Sequence, residues 1–456
     1  MAGQNAIVIG ASMSGLLAAR ALAEYYTQVT ILERDIFPAH GHSRKGVPQD
    51  RHPHALLAKG KEIIEDFFPG ITQELIDQGC ISAEISQNSR WVADGKYFCR
   101  YDNGLRGLLV GRPLLEAQVR QRLLSLPNVQ AIQQCQVLGL VTNTDNSCVT
   151  GVRYINLGED NSELVLNADL VVDASGRNSK SSSWLESLGY EQPLEEKVKI
   201  DISYTTRVYR RQAGELQGDN FVVVGASLPN WRNGVISAQE GDRWIVSISG
   251  YLGDHAPTEE QGYLEFAKSI PVPDIYDFLQ QAEPLSEFIP YKFPSSQRRY
   301  YEKLKRFPEG YLVFGDAICS FNPVYGQGMT VAALEAVALG KCLATKPKNL
   351  SQRFFAAISK LLYVPWNLAV GGDLRIPEVQ GKRSLMLRFL NWYISKLYVA
   401  AEHDPKVVMA FIKVVNLMAN PQSLMHPEMM LRILLGNLWV KPIAQLSPIN
   451  VKLSEV

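Results

Sequence analysis

Three short turns, each following an uncharged branched run, constrain this chain more than anything else in it. They are Gly10-Ala11-Ser12-Met13-Ser14-Gly15 after Ala6–Ile9, Asp173-Ala174-Ser175-Gly176-Arg177 after Ala168–Val172, and Gly315-Asp316-Ala317 after Tyr311–Phe314. Short apolar runs of this kind read as strands buried in a sheet. The turns then lie at the carboxyl ends of strands, where open α/β sheets bind ligands. Beyond the first turn, Leu16–Leu22 reads as a helix and Val29–Leu32 as a second strand closed by Glu33-Arg34. The result is a βαβ unit with an acid about 20 residues beyond the glycine turn. Gly10 permits the tight turn, and the amides and dipole at the helix start face an anionic pyrophosphate. Glu33 is placed to accept hydrogen bonds from a ribose. Ser12 stands where the usual fingerprint has its middle glycine, which leaves an ordinary Gly/Ser turn as the competing reading.

The second turn has two readings. Asp173 and Gly176 either offer a carboxylate and bare amides to a ligand, or form an Asx-type turn that caps the strand. The third turn leads into Pro323-Val324-Tyr325-Gly326-Gln327-Gly328-Met329 and the helical run Val331–Leu339. Asp316 is expected to hold ribityl hydroxyls, while Gly326 and Gly328 let backbone approach a flat ring. The helix starting near Met329 points its positive end at that ring, where it would stabilise a reduced, anionic flavin.

Together these segments resemble the FAD fingerprints of the aromatic-hydroxylase and squalene-epoxidase superfamily of flavin monooxygenases, over about residues 5 to 345. The long Gly-Asp-Ala to Gly-Gln-Gly-Met-Thr stretch is the most specific part. Gly111-Arg112 precedes an amphipathic helix, Pro113–Leu123, where the family's arginine reaches the FAD phosphates or ribose. Within the superfamily the chain is similar to bacterial FAD-dependent epoxidases of polyene and polyketide chains, a likeness shared by the loop Gly46–Leu57. The resemblance implies a Rossmann-like, glutathione-reductase-like FAD domain. It assigns the cofactor to Gly10, Ala11, Ser12, Ser14, Gly15, Glu33, Arg34, Arg112, Asp173, Gly176, Gly315, Asp316, Pro323, Gly326, Gly328 and Met329. It also implies O2 and a lipophilic small molecule as reactants, with NAD(P)H supplying electrons directly or through a separate flavin reductase. Reduced flavin would form a C4a-hydroperoxide whose terminal oxygen attacks an alkene, so no catalytic acid or base is assigned. Two features depart from relatives: Asp-Ala-Ser-Gly replaces Asp-Gly, which bears on direct nicotinamide binding, and no Trp-x-Trp-x-Ile-Pro halogenase pattern is present. A reductase of prenyl double bonds, a flavin halogenase (ranked below it for want of that pattern) and a noncatalytic flavin-binding protein are the competing functions.

Composition narrows the remaining classes. The chain has 456 residues with 46 basic and 46 acidic side chains, so it carries no electrostatic footprint for nucleic acid. Six scattered cysteines without a Cys-x-x-Cys pair fit reduced thiols and a cytoplasmic location. The first strand begins too early for a signal peptide, and no uninterrupted apolar run reaches the ~18 residues of a membrane span. His40, His42, His52 and His54 share one loop, but no ligand set completes a metal site, and a pocket-lining role is preferred.

The expected organisation is a discontinuous FAD domain (1–180 and 295–345), an inserted antiparallel substrate sheet (181–294) and a helical cap (346–456). Lys199–Tyr204, Asn220–Val224 and Arg243–Ser249 read as strands of the insertion, with helices at Gln261–Ser269 and Asp274–Gln281 beside them. The apolar cap reads first as packing on the core, and second as a lid or peripheral membrane surface admitting a lipophilic substrate.

Overall fold

The computed structural model describes residues 3–39, 41–54, 56–102, 104–158, 160–345 and 348–438. His40 and Ala55 of the histidine-bearing loop, and residues 439–456 of the expected cap, lie outside the described residues.

The branched runs at the three turns do form neighbouring parallel strands. A five-stranded sheet runs in the order Tyr311–Val313, Leu170–Asp173, Gly3–Ile9, Tyr26–Leu32 and Val129–Ile132. Ile9 pairs with Asp173, and Asp173 pairs with Val313, so the carboxyl ends of the three strands are level. That register is what brings three sequence-distant turns to one edge. Val8, Val171, Val172, Leu312 and Val313 are fully buried, as strands covered on both faces require. The helices Met13–Ala23 and Gly328–Ala344 pack together over the sheet, and Arg112–Leu124 lies beside the first of them. A three-stranded antiparallel meander, Cys135–Thr142, Val149–Leu157 and Asp160–Asn167, separates the helix Arg112–Leu124 from the strand carrying Asp173.

The second sheet has eight strands in the order Cys319–Ser320, Ile289–Arg299, Glu195–Arg210, Arg243–Gly250, Arg232–Gln239, Phe221–Ser227, Ser89–Ala93 and Lys96–Tyr97. All three strand-like segments read in the insertion belong to it, and the expected helices are Glu260–Lys268 and Asp274–Leu279. Trp244, Tyr263, Phe266, Ile275 and Phe278 form the apolar cluster between this sheet and those helices. The sheet is not built from one continuous insertion, because Ser89–Ala93 pairs in parallel with Phe221–Ser227 through Phe221↔Ser89. Nothing in the local pattern of Ser89–Tyr97 announces that long-range partner.

Four α-helices follow among the described residues: Leu350–Asp373, Leu385–Ala401, Pro405–Val415 and Pro427–Gly436. Two have clear start signals, with Ser384 Oγ accepting from the Leu387 amide at 3.1 Å and Asp404 accepting from the Lys406 amide at 2.9 Å. Leu350–Asp373 corrects the sequence reading of spans, since by length and composition it is long and apolar enough to cross a membrane. Half of its apolar window is buried inside the protein, and Phe354, Phe355, Ile358, Leu362 and Trp366 join the main core. It packs against Gly328–Ala344 as a core helix.

Candidate active site

The three turns touch one another, and the contacts explain their small residues. Gly10 has φ +98°, and a Cβ there would lie 2.8 Å from the Ala174 carbonyl oxygen. Gly315 has φ +65°, and its Cβ would lie 2.5 Å from Ser14 Oγ. A Cβ on Gly15 would sit 1.9 Å from the Gly10 oxygen, so the helix approaches the strand end only because that atom is missing. These contacts bound one end of a cavity of about 1110 Å³, beyond the ~300–1,000 Å³ of an ordinary ligand pocket. From the turns it runs past Arg177, Asp316 and the Pro323–Met329 loop to apolar walls that include Trp91, Phe98, Phe221 and Phe411. All residues assigned to the cofactor line this cavity except Gly15, Asp173 and Gly315.

At the first turn, the expected ribose acid is tied into a buried charge network. Glu33 accepts from the Ala11 amide at 2.8 Å and pairs with Arg44 at 2.8 Å. Arg44 Nε reaches Glu116 at 3.0 Å, and Arg112 Nη2 pairs with Glu116 at 3.2 Å while donating to Ser12 Oγ at 2.8 Å. Burial opposes the charge on Arg44, but Glu116 and Glu33 outweigh it and hold the guanidinium above its ordinary pKa. Asp35 also reaches Arg44, at 3.7 Å, and the buried Arg120 feels the charges of Glu116 and Glu33, so three acids and three arginines balance, as buried charges must. Arg34 lies exposed at the cavity rim. The sequence places Arg44 in a loop, Arg44 to His54, expected to enclose the reacting ring rather than in a charge network with Glu33, and it assigns Glu116 no role. The i,i+4 spacing of Arg112 and Glu116 was a signal for the latter.

The second turn corrects one assignment. Asp173 is fully buried and accepts from the Ser175 amide at 2.9 Å, from Ser179 Oγ at 2.6 Å and from Ser181 Oγ. Ser181 in turn contacts the Tyr311 hydroxyl at 2.5 Å. The carboxylate expected to face a ligand therefore organises its own turn, as the Asx reading has it, while Gly176 (φ +82°) faces the cavity.

Asp316 has the opposite surroundings. Its carboxylate lines the cavity and has no hydrogen-bond partner among the described residues. Burial raises its pKa, and Arg112 and Arg177 pull it back by their charge. An acceptor left open on a glycine-walled chamber fits the ribityl hydroxyls of FAD. Behind it, Glu335 accepts from the Gly315 amide at 2.7 Å and is pushed up to about 8 by burial.

The Pro323–Met329 loop is anchored from beneath. Fully buried Asn322 accepts from Tyr204 OH at 3.0 Å and from the Val324 amide at 3.1 Å. Its Nδ2 donates to Tyr251 OH at 3.0 Å and to Asp373 Oδ1 at 2.8 Å. The same Asp373 oxygen accepts from Tyr325 OH at 3.2 Å, and burial lifts that carboxyl to about 7. The cap helix thereby holds the loop. Gly326 (φ +63°) ends the Pro323–Tyr325 turn, and Gly328 opens the next helix with only Asp316 Oδ1 near its Cβ position, at 3.9 Å. A lone acid in an apolar run was the available sequence signal for both Asp373 and Glu335.

His52 and His54 are neutral pocket residues. His52 Nδ1 meets Thr206 Oγ1 at 2.7 Å, and His54 Nδ1 meets the His52 carbonyl at 2.9 Å. Burial lowers their pKa values to about 4 and about 3. Both line the cavity.

No family model matches the chain. It is 32% identical to Protein Rv3254 of Mycobacterium tuberculosis over 438 residues, covering 90% of this chain and 88% of that protein. It is 26% identical to 6-methylpretetramide 4-monooxygenase of Streptomyces rimosus over 293 residues, 57% of this chain and 64% of the relative. Among solved structures, a flavoprotein/dehydrogenase from Cytophaga hutchinsonii superposes with TM-score 0.67 at 13% identity, covering 95% and 98% of the two chains. The flavin-dependent brominase Bmp2 superposes with TM-score 0.65 at 14% identity, covering 90% and 92%. The fold is thus one that flavin-dependent proteins share, and the chain belongs to the family of Protein Rv3254.

Proposed function

We propose that this protein is an FAD-dependent monooxygenase that inserts one oxygen atom from O2 into a lipophilic substrate. The preferred reaction is alkene epoxidation of a polyene, isoprenoid or polyketide chain. The observation that carries this reading is the open Asp316 carboxylate in a chamber that is glycine-walled at one end and apolar at the other. Bound, reduced FAD supplies the activation of O2. The protein's own residues do the rest. Gly10, Ser12 and Arg112 hold the phosphates, Asp316 holds the ribityl chain, and Gly326, Gly328 and Met329 border the ring. The start of the Gly328–Ala344 helix stabilises negative charge there. The aromatic far walls exclude water from the reacting centre. The relative from Streptomyces, named a monooxygenase, supports oxygen insertion. NAD(P)H is the electron source, used directly or through a separate reductase, in a cytoplasmic protein. We assign the rest of residues 1–180 and 295–345 to cofactor binding, the eight-stranded sheet, including the strands Ser89–Ala93, Lys96–Tyr97 and Cys319–Ser320 that it draws from those ranges, to the substrate floor, and 346–456 to the cap.

The test is to load the protein with FAD, reduce it without air, and admit isotopically labelled O2 with a panel of long-chain alkenes. A product that gains one labelled oxygen supports the proposal. A product that gains two hydrogens and no oxygen assigns a double-bond reductase instead. Failure to bind FAD at all overturns both.

A further inference from the structure

Two of the cap helices are held to the protein by one stripe and leave another bare. In Leu385–Ala401, Tyr393, Leu397 and Ala400 are buried, yet Leu385, Met386 and Trp392 are 83%, 64% and 48% exposed, with Phe389 exposed between them. In and just after Pro427–Gly436, Ile433 is buried while Leu431, Leu434, Leu435 and Leu438 are exposed at i, i+3, i+4 and i+7. The helices pack on each other, tied by Asn437 Nδ2 to the Lys396 carbonyl at 2.9 Å. Monomeric proteins rarely leave this much contiguous apolar surface without a use.

Charge says what covers it. From Val379 to Ala401 the chain carries Lys382, Arg383, Arg388 and Lys396 and no acid. Arg383 is occupied by the carbonyls of Leu374, Ile376 and Val379, but Lys382 and Arg388 stand exposed. Aromatic and leucine side chains beside cations with no ion-pair partner among the described residues suit the boundary of an anionic bilayer. A second copy docked face to face would bring these same cations together. The cavity reaches this face as well, because Leu390 and Asn367 are exposed and also line it, with Gly371 against Leu387 between their helices.

We propose that the Leu385–Ala401 and Pro427–Gly436 helices dock on an anionic phospholipid surface, with the mouth of the cavity opening toward the lipid. A lipophilic substrate then passes from bilayer to chamber without crossing water; that delivery role rests on the oxygenase reading, whereas the docking does not.

The test is sedimentation of the full-length protein with phosphatidylcholine vesicles, with and without phosphatidylglycerol. Binding should require the anionic lipid and weaken as salt rises. The double variant Leu385→Asp/Phe389→Asp changes only exposed positions. It should lose about tenfold or more in vesicle affinity, with bound FAD per chain unchanged. Lys382→Glu/Arg388→Glu should remove the salt-sensitive part of binding. No binding to either vesicle, or undiminished binding by the Leu385→Asp/Phe389→Asp variant, overturns the proposal. A wild-type dimer that this variant dissolves, without vesicle binding, overturns it in favour of a second copy. Vesicle binding by a protein that takes up no FAD would leave the docking standing and defeat the oxygenase reading.

Discussion

Two aspartates at the ends of adjacent parallel strands have opposite roles. Asp173 closes the strand Leu170–Asp173, and Asp316 follows the strand Tyr311–Val313 after Phe314 and Gly315. Asp173 is saturated by an amide and two hydroxyls, while Asp316 is left open on the cavity. The cause lies in the residues that follow each. Ser175, Ser179 and Ser181 place donors within reach of Asp173, whereas Ala317, Ile318 and Cys319 offer Asp316 no hydroxyl. A motif carboxylate faces a ligand when its own turn cannot satisfy it.

The sharpest way to break this comparison is Asp173→Ala. It strands the donors of the turn in a fully buried place and should cost about 3 kcal/mol or more of stability in urea unfolding. FAD binding should fall only as the folded fraction falls. A variant that stays fully stable yet loses FAD would return Asp173 to the ligand. Asp316→Ala should do the reverse. FAD affinity, read by fluorescence titration, should drop about 10- to 100-fold, while stability without FAD stays within about 1 kcal/mol, since a half-buried open carboxylate contributes little to folding.

A third test concerns the acids behind the third turn. Burial lifts Glu335 to about 8 and Asp373 to about 7, above the ordinary 4.5 and 3.8. The folded protein therefore keeps protons that the unfolded chain has already released. This contribution is complete below the unfolded values and is lost as pH rises toward the folded ones, at no more than about 1.4 kcal/mol per pH unit for each group. Glu335→Gln should flatten the stability profile between about pH 5 and 8, measured by urea midpoints. An unchanged slope would show that Glu335 is ionised throughout. The smallest effect is expected from Gly328→Ala, whose Cβ meets nothing closer than 3.9 Å. Its melting free energy should move by no more than about 0.5 kcal/mol. Any perturbation should then appear in the spectrum or affinity of bound FAD, if the proposed site brings the ring against Gly328.

Much of the cofactor end was legible because its constraints are local. Strands buried on both faces must be short and apolar, and glycine must stand where a Cβ would strike backbone, as at Gly10 and Gly15. The helical cap was legible from its apolar runs, Leu385–Ala401 among them. The network of Glu33, Arg44, Glu116 and Arg112 was not, because its members join only after the helix Arg112–Leu124 lies against the first turn. The strand Ser89–Ala93 was missed for a related reason: its partner is a strand begun at Phe221.

By itself the sequence determined the βαβ unit and the order of the three turns, since each follows from periodicity and backbone sterics within a few residues. Only the tertiary structure decided that Asp173 turns inward while Asp316 stays open, and that Asp373 of a distant helix holds the loop at Asn322 and Tyr325. Those roles depend on which hydrogen-bond partners arrive from elsewhere in the chain. A short sequence window cannot count partners that only packing brings within reach.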